Sequence, residues 1–212
     1  MLHSKVGLDR EAVYMSHNVS NESESTTTDS QPKIFQVSCA IDGIEPPVFR
    51  RIQVRDCNLA KLHEILQAVL GWQNRQLHYF DIEGREYTAD RKAIAEFEWE
   101  NSARITLSQL WKKGISEFSY VYDMSHNWVH SIVIEGPEER EPRTHYPYCV
   151  EAERACPSES CSGPKQYEQW LQAWGNPTHP QHKVVCDRLG TSFDPEIRSL
   201  DPINDKLKRI RN

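Results

Sequence analysis

The chain's hydrophobic positions repeat in two different ways, and the change from one to the other divides it into elements. Ile34-Phe35-Gln36-Val37-Ser38-Cys39-Ala40-Ile41 reads as a strand, ended by Asp42-Gly43 and Pro46-Pro47. Val48–Val54 alternates apolar and polar residues, which predicts a second strand in a hairpin with the first. From Leu59 to Leu70 the period becomes helical. Leu59, Leu62, Leu66 and Val69 fall on one face, Asn58 can cap the start and Gly71 can end it. Leu77–Ile82 predicts a third strand turning at Glu83-Gly84, whereas residues 85–103 follow neither period clearly. Thr106 can cap a short helix over LSQLWKK, stopped by Gly114. Phe118–Tyr122 and Trp128–Ile134 flank Ser125-His126-Asn127 as a hairpin.

Beyond a charged, proline-bearing stretch at 136–147, the helical period returns at Tyr167–Trp174 and His182–Leu189. A last helix is expected up to Ile210, capped by Ser199 or Asp201, with Pro202 in its first turn. Strands and helices do not alternate strictly. The predicted fold class is therefore α+β, a single domain over residues 32–212 with an antiparallel sheet packed against helices and a helical C-terminal third at 165–210. Residues 1–31 are rich in Ser, Thr and Asn with few large apolar groups. That composition cannot offset the cost of ordering a backbone, so a disordered tail is expected there.

Composition narrows the function. The 212 residues carry a formal charge of −6, which argues against broad electrostatic binding to nucleic acid. No apolar run approaches membrane-spanning length, and the N-terminus lacks a basic segment followed by an apolar one, so no membrane contact and a cytoplasmic location are expected. Six cysteines in a reducing compartment should be thiols or metal ligands rather than disulfides.

Three of those cysteines, Cys149, Cys156 and Cys161, lie in a loop expected at 147–164, spaced x6 and x4. With His179 and His182 downstream they could complete a tetrahedral structural zinc site. The spacing differs from the tight CxxC pair of zinc ribbons, and buried free thiols or a Cys156–Cys161 redox pair are the other readings. A second cluster gathers at the later hairpin: Asp123, His126, Trp128 and His130. Trp128 and His130 share a strand face, and Asp123 can orient a histidine across the turn. His63 on the first helix and His78 at the opening of the third strand could join Asp123 and His130 in a His/Asp pocket. Ordinary turn formation and packing explain the same residues. No phosphate loop, nucleophile elbow, HExxH or helix-turn-helix pattern is present.

Five segments in order resemble one known family: IEPPVFRRIQV, LAKLHEILQAVLGWQNRQLHYFDIEGREY, YVYDMSHNWVHSIVIE, YCVEAERACPSESCSGPKQYEQWL and LGTSFDPEIRSLDPINDKL. Together they are similar to the plasmid Ri ORF-3-like family of prokaryotic proteins. The resemblance covers nearly all of the chain beyond residue 33. It implies one α+β domain and leaves the chemistry unspecified. Met124, Ser125 and His126 stand where that family usually has Phe, Gly and Asp, so an acceptor carboxylate at position 126 is replaced here by an imidazole. The reading that follows is a binding or interaction module for an unknown protein or small molecule, steadied by zinc at the cysteine loop. The alternatives are a metal-dependent hydrolase or nuclease-like enzyme using the His/Asp pocket, and a DNA-associated protein of mobile elements, as labels on some relatives imply.

Overall fold

A computed structural model describes residues 33–190 and 192–210; the expected tail at 1–31 lies outside them. One eight-stranded sheet forms the frame: β1 (Ile34–Ile41), β2 (Phe49–Arg55), β3 (His78–Ile82), β4 (Arg85–Thr88), β5 (Glu100–Asn101), β6 (Glu117–Tyr122), β7 (Trp128–Glu138) and β8 (Tyr148–Glu153). The spatial order is β5-β4-β3-β6-β7-β1-β2-β8. Every pairing is antiparallel except β4 with β5. The helices are α1 (Leu59–Leu70), α2 (Arg91–Phe97), α3 (Leu107–Lys112), α4 (Pro164–Gly175), α5 (His182–Leu189) and α6 (Asp201–Leu207). The α+β expectation and the helical C-terminal third are both present.

The first helix forms where its caps place it. The Asn58 side chain accepts from Lys61 N–H at 2.9 Å, and Gly71 closes the helix in the left-handed conformation at φ 78°. Thr106 and Gln109 make the reciprocal capping box that starts α3. The ambiguous stretch 85–103 resolves into β4, α2, β5 and one 3₁₀ turn, with Asp90 capping α2 through Lys92 and Ala93 N–H. Two expectations are corrected. The stretch expected to be an irregular cysteine loop from 147 opens instead as β8, because Tyr148–Glu153 pairs with the outer side of β2 and satisfies its backbone there. The last helix starts after Leu200 without a side-chain cap, so neither Ser199 nor Asp201 plays that role.

The sheet register gathers aromatic side chains on one face. His78, Tyr122 and Trp128 form one transverse row, and Phe80, Tyr120 and His130 form the next. Helix α1 covers these rows with Leu59, Leu62, Leu66 and Val69, all nearly inaccessible. Cys39, Ile52, Cys149, Tyr167, Trp170 and Leu207 continue the same core. The opposite face is polar over β1, β2 and β7, where Arg51 pairs with Glu135 at 3.0 Å and with Glu151.

One cation is embedded in this core. Arg50 is 4% exposed, and its guanidinium donates to the carbonyls of Val69 at 3.3 Å, Phe49 at 2.7 Å, Glu153 at 2.9 Å and Arg154 at 3.1 Å. It ties the C-terminal turn of α1 to the end of β8, at the helix end where a positive charge is favoured. Replacing Arg50 with Met keeps the bulk but leaves those carbonyls without their donor. We expect a loss of about 3 kcal/mol in urea unfolding; a change under about 0.5 kcal/mol would show that water replaces the guanidinium.

Candidate functional site

Helix α1 and strand β3 bring two histidines face to face. His63 and His78 stack with centroids 3.4 Å apart and planes 4° from parallel. Each ring is held by a different element, so the pair exists only because α1 lies across the start of β3. Around His63 the polar groups close a ring of hydrogen bonds. Gln67 Nε2 donates to the Tyr120 hydroxyl at 3.0 Å, and the hydroxyl donates to His63 Nδ1 at 2.8 Å. His63 Nε2–H donates to Asn74 Oδ1 at 2.9 Å, and Asn74 N–H returns to Gln67 Oε1 at 2.8 Å. The circuit fixes the Nε2–H tautomer of His63 and holds Asn74 in a left-handed conformation, φ 55°.

Both rings are held neutral. Burial pushes His63 down to about 4, against the hydrogen bond to Asn74. Burial, reinforced by the neighbouring His63, pushes His78 down to about 3. His78 Nε2 is buried and has no hydrogen-bond partner. A cleft of about 480 Å³ opens beside the pair. Its walls are Ala60 and Glu64 from α1, the segment Asn74–Leu77, and Ala89 and Asp90 before α2.

The other expected residues lie apart from this cleft. His130 is wholly buried beyond Tyr120, donating Nδ1–H to the Tyr120 carbonyl at 3.1 Å, and burial pushes it down to about 4. Its Nε2 and the Trp128 indole N–H have no partner. Trp128 and His130 both pack against Trp72, with ring centroids at 5.6 and 5.3 Å. Asp123 orients a histidine, but the one it orients is His126: Oδ2 meets Nδ1 at 2.6 Å. The same carboxylate takes Ser125 Oγ at 2.5 Å. Although these bonds outweigh burial and hold Asp123 below the usual carboxylate range, they make a tight turn and not a serine–histidine relay. The single His/Asp pocket of the sequence reading therefore divides: His63 and His78 line a cleft, His130 is core, and Asp123 with His126 builds the hairpin turn.

The cysteines divide likewise. Among the described residues, no group of three or more His, Cys, Asp or Glu side chains is placed to hold a metal ion. Cys149 lies under the sheet with its Sγ donating to Glu151 O at 3.2 Å, and Cys161 Sγ reaches Gly163 O at 3.6 Å. Cys156 is half-buried in the loop between them. His182 Nδ1 bonds Ala173 O at 2.8 Å, and the side chain of His179 receives Gln181 N–H at 3.1 Å. Burial pushes Cys149 up to about 11 and Cys156 and Cys161 up to about 12, so all three rest as thiols in this arrangement. As placed, these five residues do not fit a tetrahedral zinc site.

Glu159 was not among the expected residues, yet it anchors the cysteine loop. It accepts Gln73 N–H at 3.1 Å, Arg75 N–H at 3.2 Å and the Tyr122 hydroxyl. Trp72 Nε1–H adds a bond to Pro157 O at 2.9 Å. Gln67, Asn74 and Tyr120 were missed as well. Isolated polar residues on an apolar helix face, such as Gln67, are the only local sign of such a network.

The fold is that of an α+β protein with a single sheet and one histidine-floored cleft. The family match is to the plasmid pRiA4b ORF-3-like proteins over residues 33–201, and the chain belongs to this family. It is 30% identical over 178 residues to the uncharacterized protein y4hQ of Sinorhizobium fredii, covering 81% of this chain and 89% of that one. It also resembles the crystal structure of MM3350 from Methanosarcina mazei Go1, a protein of unknown function. That likeness has a TM-score of 0.73 and 27% identity, over 80% of this chain and 97% of the other.

Two predictions test this geometry. Changing Tyr120 to Phe leaves His63 Nδ1 and Gln67 Nε2 buried without a partner. It should cost about 1–3 kcal/mol in chemical denaturation, and the His63 Nδ1 signal should move toward that of an imidazole nitrogen without a hydrogen-bond donor by NMR. The histidines also set an acid limit. His63, His78 and His130 titrate near 4, 3 and 4 in the fold against an ordinary 6.5, so the unfolded chain binds more protons between those values. Stability should be full above pH 6.5 and fall steadily as pH drops toward 4. A flat urea midpoint between pH 7 and pH 5 would contradict the buried neutral state.

Proposed function

We propose that the protein is a binding module whose ligand site is the cleft over the His63–His78 pair. The observation that supports this is the orphaned, buried Nε2 of His78 on a side chain that lines a cleft of about 480 Å³. A volume of this order suits a small molecule. The walls carry Glu64, Asp90, Arg75 and Gln76, so the ligand is polar and offers hydrogen-bonding groups to both charge signs. Binding fits better than acid–base catalysis because imidazoles with pKa values near 3 and 4 are poor proton acceptors at neutral pH. A hydrolytic role for the wider His/Asp set is less favoured, since its members face different environments.

Protein-observed NMR with a library of small polar fragments tests the proposal. Hits should move the ring signals of His63 and His78 together with the amides of Arg75 and Gln76. Filling the cleft by changing Ala60 to Trp should abolish those shifts while the rest of the spectrum stays dispersed. Hits that ignore the histidines, or that persist in the filled variant, would refute it.

A further inference from the structure

The sheet's free end carries a second concave site of the opposite electrical character. Strand β4, the 3₁₀ turn at Ser102–Arg104 and the end of α3 enclose a groove of about 480 Å³. Four cations line it: Arg85, Arg104, Lys112 and Lys113. One carboxylate, Glu100, faces them, and the half-buried ring of Tyr87 forms part of the wall. None of the four cations makes a side-chain hydrogen bond or ion pair among the described residues. In contrast, Arg50, Arg51 and Arg154 elsewhere in the fold are all engaged.

The grouping runs against the charge of the molecule. The chain carries −6 overall, so anions are repelled at long range, yet here four positive groups converge on one carboxylate. Like charges brought together without counter-charges destabilise a fold unless something neutralises them. Lys112 and Lys113 have a local reason to sit where they do, at the C-terminal end of α3. Arg104 ends the 3₁₀ turn and has a weaker form of that reason, whereas Arg85 on β4 has none. The sheet topology alone brings these two to the same groove, and their planar forks suit phosphate oxygens.

We propose that this groove binds a compact phosphate-bearing small molecule of nucleotide size, with Arg85 and Arg104 gripping the phosphate, Lys112 and Lys113 neutralising it, and Tyr87 offering a stacking face to an attached ring. This site is independent of the histidine cleft. Glu100 sets a limit on the ligand, because its charge penalises a long polyanion laid along the edge more than a short phosphate at one end of the groove.

The test is an NMR titration of the full-length protein with inorganic pyrophosphate and with AMP at constant ionic strength. Both should bind saturably at one site, shifting the amides of Arg85, Arg104 and Lys113. The double variant Arg85→Gln/Arg104→Gln should weaken both by about tenfold or more without lowering the thermal midpoint, since all four side chains are exposed and two like charges are removed. Tyr87→Leu should weaken AMP and leave pyrophosphate unchanged. The proposal is overturned if sulfate at matched ionic strength gives the same shifts, if the double variant binds as well as the native chain, or if duplex DNA competes with an affinity that rises with its length, which would make the groove part of a polyanion surface.

Discussion

The hydroxyl of Tyr120 is the constraint on which the site depends. It lies at the centre of the sheet, fully buried beneath α1, where a polar group must be hydrogen-bonded or its desolvation cost is uncompensated. Its partners, His63 and Gln67, are one turn apart on α1, so satisfying the hydroxyl fixes both the height and the rotation of the helix over the sheet. Asn74 then completes the ring from the segment entering β3, which sets where His78 begins and how it meets His63. Cleft, tautomer and stacking geometry all follow from closing this one circuit. Because burial moves Tyr120 well above the usual phenol range, the hydroxyl keeps its proton and the circuit keeps its direction.

The cysteine loop has a mechanical role that does not require metal. Glu159 and Pro157 reach back to Tyr122 on β6 and to Trp72, Gln73 and Arg75, of which Arg75 walls the histidine cleft. At its far end the loop meets the β6–β7 hairpin so closely that a Cβ on Gly163 would sit 2.7 Å from the His126 carbonyl oxygen. Gly163 also has φ 92°, a conformation other residues rarely adopt, so glycine is required on both counts. Loop, hairpin turn and cleft wall are therefore one connected body.

Polar and charged groups divide the surface into distinct regions. Buried imidazoles floor a cleft with mixed walls, unpaired cations line the groove at the free sheet edge, and Arg51 with its carboxylates covers the polar face of β1 and β2. The net charge of −6 describes none of these regions, because each is built by residues distant in sequence.

Much of the frame was legible from local pattern. The residues of β1, α1 and α5, the caps Asn58, Gly71 and Thr106, and the β6–β7 hairpin follow from hydrophobic period and capping chemistry, which act over a few residues. Strand β8 and the short elements at 85–101 were not legible. They are ordered by pairing with neighbours far along the chain rather than by a period of their own. The site shows the same division. Sequence supplied His63 and His78 as residues capable of chemistry, but their stacking depends on α1 crossing β3, and the ring that orients His63 joins positions 63, 67, 74 and 120. Asp123 and His130 are seven residues apart, yet strand alternation and the turn send one to the hairpin tip and the other into the core. Local physics determined which residues form strands, helices and caps; only the packing of α1 on the sheet decided which histidines share a site, because hydrogen bonding and burial between distant segments have no signature in the order of residues.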